Sequence, residues 1–355
     1  MPTDVTNLRK LNKLLDLLPR GGELKIVLQN NPDPDALASA AGFKLLAQEL
    51  SGTTSSVIFS GLIGRAENRA MLRYLGLSVS CAAPECFSPG DAVACLDTQP
   101  GAGNNCVPPD VTPKIIIDHH PLQDRARSSP FTDIRSNVGA TSTIITQYLR
   151  LCDIAIDIRL ATALLYGIKS DTQDLGRDVT QADIDAYLFL YPLANKRQLA
   201  RIEREPVPAV YFQQLLRALT RAEVYGSKIV ISSVGATDSP DAAAETADML
   251  MRLEGIEWSL CVAFHNGVAY VSLRGARADS DSCDLIRKIV GDNGAGGGHD
   301  QCAGGQIPLR NKSNAEMTRR MKDIISRTCE ALQIDPKDKL RLTSMQIVNG
   351  KAPSQ

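Results

Sequence analysis

Little in this chain is extreme, and what is scarce rules out several classes. Aromatic residues make up 5% of its 355 residues, with one Trp, too few to interleave with basic residues along a groove for long single strands. Lys and Arg number 39 against 40 acids, for a net charge of −1, so no global field draws the chain onto nucleic acid or an anionic membrane. A polyanion would have to be held locally. The leucine-rich run 11–20 contains Lys13, Asp16 and Arg20, which suits an amphipathic helix and neither a signal peptide nor a membrane span. The nine cysteines are scattered, with no Cys-x-x-Cys pair, so neither a disulfide framework nor a structural zinc site is suggested. A reducing, cytoplasmic setting is the expectation. Histidine is scarce too, at four, and two stand together in Asp118-His119-His120.

That triplet follows Lys114–Ile117, a β-branched run that reads as a buried strand. Comparable strands are expected at Leu24–Leu28, Ser56–Ser60, Asp91–Leu96 and Phe131–Ile134. Helices are expected at Val5–Leu18, Ala36–Leu50, Arg65–Leu75, Gly139–Leu151 and Ile158–Lys169. The alternation predicts an α/β fold, a mostly parallel sheet with helices on both faces. The pattern breaks after Tyr191-Pro192. Residues 193–222 read as a helical linker. A second, smaller α/β unit over 223–345 has strands at Lys228–Val234, Ser259–Phe264 and Val268–Leu273, and helices at Ala242–Leu253, Cys283–Val290 and Ala315–Leu332. Gly291–Gly305 reads as a glycine-dense loop, and 346–355 as a tail. Residues 1–192 form the first domain in this reading.

Acids recur where strands end: Asp33-x-Asp35, Asp97 and Asp118, with Asp171 after a helix. Each alone is an ordinary turn former or cap, and Asp35 could cap the helix that follows it. Together they are costly to bury without counter-charge. Divalent cations resolve that, and carboxylate with imidazole suits Mn²⁺ or Mg²⁺ better than a thiol-loving metal. A pair of such ions about 3.5–4 Å apart can steady both attacking and leaving oxygens at phosphorus.

Asn31-Pro32-Asp33-Pro34-Asp35-Ala36, Leu96-Asp97, Asp118-His119-His120 and Gly167-Ile168-Lys169-Ser170-Asp171-Thr172 resemble the ordered motifs of the DHH phosphoesterases. Gly296-Gly297-Gly298-His299, with Ala303-Gly304-Gly305, resembles the signature of that family's associated C-terminal domain. The resemblance spans most of residues 20–310 and is closest to the branch of nano-RNases, pAp phosphatases and dinucleotide phosphodiesterases, relatives of RecJ. It implies two ions, Mn²⁺ or Mg²⁺, with Asp33 on the first, Asp35, His119 and Asp171 on the second, and Asp97 bridging. It places His120 at the reacting phosphate with Asp118 orienting a histidine behind it. Arg274, Gly296, Gly297, Gly298 and His299 would hold the far end of the nucleotide, Arg277 being a weaker candidate. One position departs. The family's His two residues before the first-motif Asn is here Gln29, a neutral and weaker ligand.

The resulting expectation is a phosphodiesterase or phosphatase acting on short oligoribonucleotides, dinucleotides or pAp, without long nucleic acid or membrane as a partner, and with room for a homodimer. A nucleotide-binding regulator without catalysis, and a pyrophosphatase, are the alternatives.

Overall fold

The six strands of the first 134 residues all pair in parallel, so their carboxyl ends lie along one edge of the sheet. The computed structural model describes residues 5–81, 86–177, 179–277, 279–298 and 301–345. The chain divides after Pro206 into two units, so the division falls inside the segment expected to be a linker.

The first unit runs α1 (Val5–Leu17), β1 (Glu23–Val27), α2 (Pro34–Ser51), β2 (Thr54–Phe59), α3 (Ala66–Leu75), β3 (Val79–Cys81), β4 (Ala92–Leu96), β5 (Ile115–Asp118), β6 (Phe131–Ile134), α4 (Thr141–Leu151), α5 (Ile158–Asp171), α6 (Gln181–Leu190) and α7 (Lys196–Glu203). Its sheet has the order β3-β2-β1-β4-β5-β6, with every pairing parallel. This is the doubly wound order whose direction of growth reverses between β1 and β4, leaving a crevice at the carboxyl ends of those strands. Alternating side chains serve the two faces. Ile26, Ala94, Leu96, Ile115 and Ile117 join the large core with the helices. Val27, Val93, Cys95 and Ile116 meet Val107 and Ala126 from the following loops. Small residues let α2 press closely on α4 and α5: Ala36, Ala38, Ser39, Ala40 and Gly42 are all buried.

The second unit runs α8 (Ala209–Arg221), β7 (Glu223–Tyr225), β8 (Ile229–Ala236), α9 (Ala242–Leu250), β9 (Trp258–His265), β10 (Val268–Gly275), α10 (Ser282–Val290), β11 (Ala295–Gly298), β12 (Cys302–Pro308), α11 (Asn314–Ala331) and β13 (Lys339–Arg341). Its sheet is mixed, in the order β11-β12-β10-β9-β8-β7-β13, with β8 and β9 parallel and the β9–β10 and β10–β12 pairs antiparallel. Residues 193–222 are shared between the units: α7 falls in the first, and α8 packs on β8 in the second. The expected glycine-dense loop, Gly291–Gly305, instead contributes Ala295–Gly298 and residues 302–305 to the antiparallel pair β11–β12. Glycine is what lets it lie under α10. A Cβ on Gly305 would come within 2.4 Å of Val290 Cγ1, and one on Gly294 within 2.8 Å of Val290 Cβ. Among the described residues no helix is long and apolar enough to cross a membrane.

Candidate metal centre

Five of the six expected ligands follow the strands at the switch point, β1 and β4, or β5 one strand beyond it. Asp33 is the N-cap of α2: its Oδ1 accepts from the Ala36 amide at 2.9 Å. Pro34 follows at the first helical position, where its missing N–H costs nothing. The capping role considered for Asp35 therefore belongs to Asp33. Asp35 caps a different helix. Its Oδ2 accepts from the Thr141 amide at 2.6 Å and its Oδ1 from the Ser142 amide at 2.8 Å, both in the first turn of α4. Two amides at a helix N-terminus fix the carboxylate and favour its charge, and each oxygen keeps a second lone pair for a cation.

Asp97 follows β4 with φ of 57°, a left-handed conformation that costs a residue with a side chain about 1 kcal/mol or more. It turns the fully buried carboxyl back over the strand ends. The Thr141 hydroxyl donates to its Oδ1 at 3.0 Å. Asp171, the last residue of α5, arrives from the helical side.

In Asp118-His119-His120 each side chain has its own set of hydrogen-bond partners. Asp118 Oδ1 accepts from the amides of His119 and His120, at 2.8 and 3.2 Å, and pairs with His120 Nδ1 at 2.7 Å. Its Oδ2 accepts from Gln99 Nε2 at 2.8 Å. His119 directs Nδ1 to the Val138 carbonyl at 3.3 Å, so in the neutral ring Nε2 is the nitrogen that offers a lone pair. That nitrogen lies 3.5 Å from Asp97 Oδ1 and 3.4 Å from Asp171 Oδ2. A backbone acceptor fixing the tautomer while the other nitrogen faces carboxylates is the usual environment of a metal-binding imidazole.

The electrostatics show what the acids lack. Burial, then the Asp171 and Asp35 carboxylates, push Asp33 up to about 7. Burial and Asp171 push Asp35 up to about 6, against the pull of His119 and Ser142. Asp97 is raised well above the ordinary carboxylate range by burial and by the acids around it. Burial works to lower His119, but the hydrogen bond and charge of Asp171 and the other acids prevail and raise it to about 10. Asp118 differs: despite burial, the His120 contact holds it below the usual range. The donors fit a hard divalent cation. Asp35, His119 and Asp171 each offer an atom with all three within 4.8 Å of one another, as do Asp97, His119 and His120.

Sequence reasoning missed two residues here. Gln99 donates to Asp118, and its Oε1 accepts from the Gln123 amide at 2.8 Å, tying the loop after β4 to the loop after β5. The signal was its place two residues after Asp97. Gly167 was quoted within a motif without a role. A Cβ there would meet Ser142 Oγ at 2.4 Å and Asp35 Oδ1 at 3.0 Å, so glycine on α5 is the condition for seating Asp35. Gln29 stands with its Nε2 at 2.9 Å from Asp33 Oδ2 and 3.1 Å from Asp97 Oδ2.

In the second unit, Arg274, expected to hold the far end of the nucleotide, has partners within its own unit. Its Nε is ion-paired with Asp248, and its Nη1 donates to Ser272 Oγ at 2.9 Å and to the Leu273 carbonyl at 3.0 Å. Arg277 pairs with Asp279 in solvent. Gly296, Gly297 and Gly298 form most of β11, the outermost strand of its sheet, with open space around Gly297. His299 lies outside the described residues.

The sequence matches the N-terminal domain of the DHH family over residues 24–168 and the DHHA1 domain over 226–330. The chain belongs to the DHH family. An uncharacterized protein of Methanocaldococcus jannaschii is 32% identical over 286 residues, 81% of this chain and 58% of that protein. A probable manganese-dependent inorganic pyrophosphatase of Deinococcus radiodurans is 30% identical over 167 residues, 46% of this chain and 52% of that protein. The chain thus spans little more than half the length of these curated relatives. The crystal structure of an exopolyphosphatase-related protein from Bacteroides fragilis shares the fold. Its TM-score is 0.64 at 13% identity, covering 92% of this DHH chain and 97% of that one.

Proposed function

We propose that this DHH-family chain is a divalent-cation-dependent phosphoester hydrolase acting on short nucleotides: di- to tetraribonucleotides, linear or cyclic dinucleotides, or pAp. The observation that carries the reading is the cluster of buried Asp35 and Asp97 with half-buried Asp33 and Asp171 around His119 at the switch point. A cation held there, Mn²⁺ or Mg²⁺, supplies a water of near-neutral pKa and charge stabilisation at phosphorus.

The rest of the chemistry falls to the chain's own groups. Asp35, fixed by two amides of α4, and Asp171 at the end of α5 would hold the cation from two different elements, together with His119. Asp97 stands on the side of Asp33. His120 has Nδ1 committed to Asp118, so Nε2 is the atom that handles a proton, delivering it to the leaving oxygen. In the second unit, the β11 glycines support the reading of a place where backbone N–H groups approach the far phosphate or base.

The test is a hydrolysis assay with Mn²⁺ on pApA, pAp, pyrophosphate and a long single-stranded DNA. The short nucleotides should turn over fastest, and Asp35→Asn and Asp171→Asn should each lower kcat by about 100-fold or more. No turnover of any substrate by protein with confirmed bound Mn²⁺ would overturn the proposal in favour of a nucleotide-binding regulator. A pyrophosphatase is the second reading, favoured by the names of the Deinococcus relative and others like it. Pyrophosphate turning over faster than every nucleotide would establish it instead.

A further inference from the structure

We infer that the metal centre is asymmetric by construction: the Gln29 side-chain amide occupies the corner between Asp33 and Asp97, so the chain holds one divalent cation tightly and a second only weakly. The inference rests on the proposed reading of this cluster as a cation site, and concerns how many ions it holds.

Two observations lead to it. The first is the amide itself. Gln29 Nε2 donates to Asp33 Oδ2 at 2.9 Å and to Asp97 Oδ2 at 3.1 Å, so its two hydrogens serve the two carboxylates that would otherwise share a cation on that side. The remaining oxygen of Asp33 is already engaged as the cap of α2, and that of Asp97 by the Thr141 hydroxyl. A donor bridging two acids does, as a neutral dipole, part of the work a cation would do. For an ion to enter, the amide must turn away or present its oxygen, giving up two hydrogen bonds to charged groups.

The second observation is the sharing of His119. The two triads able to hold an ion, Asp35–His119–Asp171 and Asp97–His119–His120, both depend on that residue. Its Nδ1 is turned to the Val138 carbonyl, so Nε2 carries the one ring lone pair it can give, and one lone pair serves one cation. His120 Nδ1 is likewise committed, to Asp118 at 2.7 Å. The triads therefore describe alternative coordination around one ion more readily than two full sites. Asp33, the acid beside Gln29, is in neither triad. The tight ion belongs on the side of Asp35, His119 and Asp171, away from Gln29.

The experiment titrates the full chain with Mn²⁺ alone, by calorimetry and by electron paramagnetic resonance, and compares it with Gln29→His and Gln29→Ala. The wild-type chain should take up one Mn²⁺, with any second ion about 100-fold weaker, and show the spectrum of an isolated ion at one equivalent. Gln29→His should bind two ions of similar affinity and give the spin-coupled spectrum of a close pair. Gln29→Ala, which only removes the amide, should tighten the second ion by about 10-fold and keeps the inference testable if the histidine variant misfolds. Two tight, spin-coupled ions in the wild-type chain would overturn the asymmetry while leaving the hydrolase reading intact. A second-ion affinity unchanged in both variants would overturn it as well. Absence of any Mn²⁺ binding would overturn the metal-centre reading with it.

Discussion

At the scale of the residue, the cluster is built by pieces that carry no charge. Gly167 is the clearest. It faces Ser142 and Asp35 where α5 crosses α2 and α4, and a methyl group there overlaps the Ser142 hydroxyl. Gly167→Ala should destabilise the chain by about 1–3 kcal/mol through overpacking. It should also weaken Mn²⁺ binding, because the nearest relief is to push Asp35 off the two α4 amides. Denaturant unfolding with a parallel Mn²⁺ titration checks both. Destabilisation with unchanged Mn²⁺ affinity would show that Asp35 is seated independently of this contact. Aspartates and histidines at strand ends were legible in the sequence because strand, turn and acid are close neighbours along the chain. Gly167 and Gln99 were not, since their roles exist only across residues far apart in the chain. The partners of Arg274 were hidden for the same reason: Asp248 lies 26 positions away, on a different element.

At the scale of the element, α1 is held to the sheet by a buried acid. Asp133 on β6 accepts from Lys10 of α1, from Arg135 at 2.9 and 2.6 Å, and from the Tyr148 hydroxyl of α4 at 2.8 Å. Burial opposes its charge, but Arg135 and Lys10 prevail and hold its pKa below the usual carboxylate value. A depressed acid contributes stability that is fully present above its unfolded pKa and is lost as pH falls through its folded one. Asp133→Ala should therefore cost about 3–5 kcal/mol near neutrality, leaving Arg135 half-buried without its partner. The gap to the wild-type chain should narrow below about pH 4. Unfolding free energies at pH 7 and pH 3.5 test this, and a gap that stays constant would remove the charge from the argument. The same scale shows why some elements escaped sequence reading. Helix α6 has apolar residues on every side, Ile184, Ala186, Leu188, Phe189 and Leu190, so it offers no amphipathic period. Its one local signal was the capping pair Thr180 and Asp183. Asp183 reaches further, accepting from the Gly139 amide and the Thr143 hydroxyl before and within α4. Strands β11 and β12 escaped because glycine argues against a strand by propensity, whereas here the close approach of α10 demands it.

At the scale of the whole molecule, the labour divides along the chain. Every candidate metal ligand, from Gln29 to Asp171, lies before Pro206, and that unit has its own sheet and its own core of leucine, isoleucine and alanine. The second unit has a separate core centred on Ile229, Leu260, Val262, Leu273 and Ile286 and contributes none of the acids. The parallel sheet was legible in advance because periodicity and strand-end turns are local properties. The division falls within the expected connector, but which of its helices goes with which unit was not legible, because only packing assigns α7 and α8 to different units. From this division a truncation has a definite expectation. Residues 1–206 expressed alone should fold with the sheet order intact and bind the tight Mn²⁺ with an affinity within about threefold of the full chain, since no ligand has been removed. They should lose at least about 10-fold in kcat/KM for pApA, as the part proposed to hold the far end of the nucleotide is gone. A small generic phosphodiester with no second nucleotide to hold should be cleaved equally well by both. Calorimetry with Mn²⁺ and the two assays separate the outcomes. Loss of Mn²⁺ binding in a folded 1–206 would show that the second unit completes the metal centre. Equal loss on both substrates would show that it acts on catalysis and not on recognition.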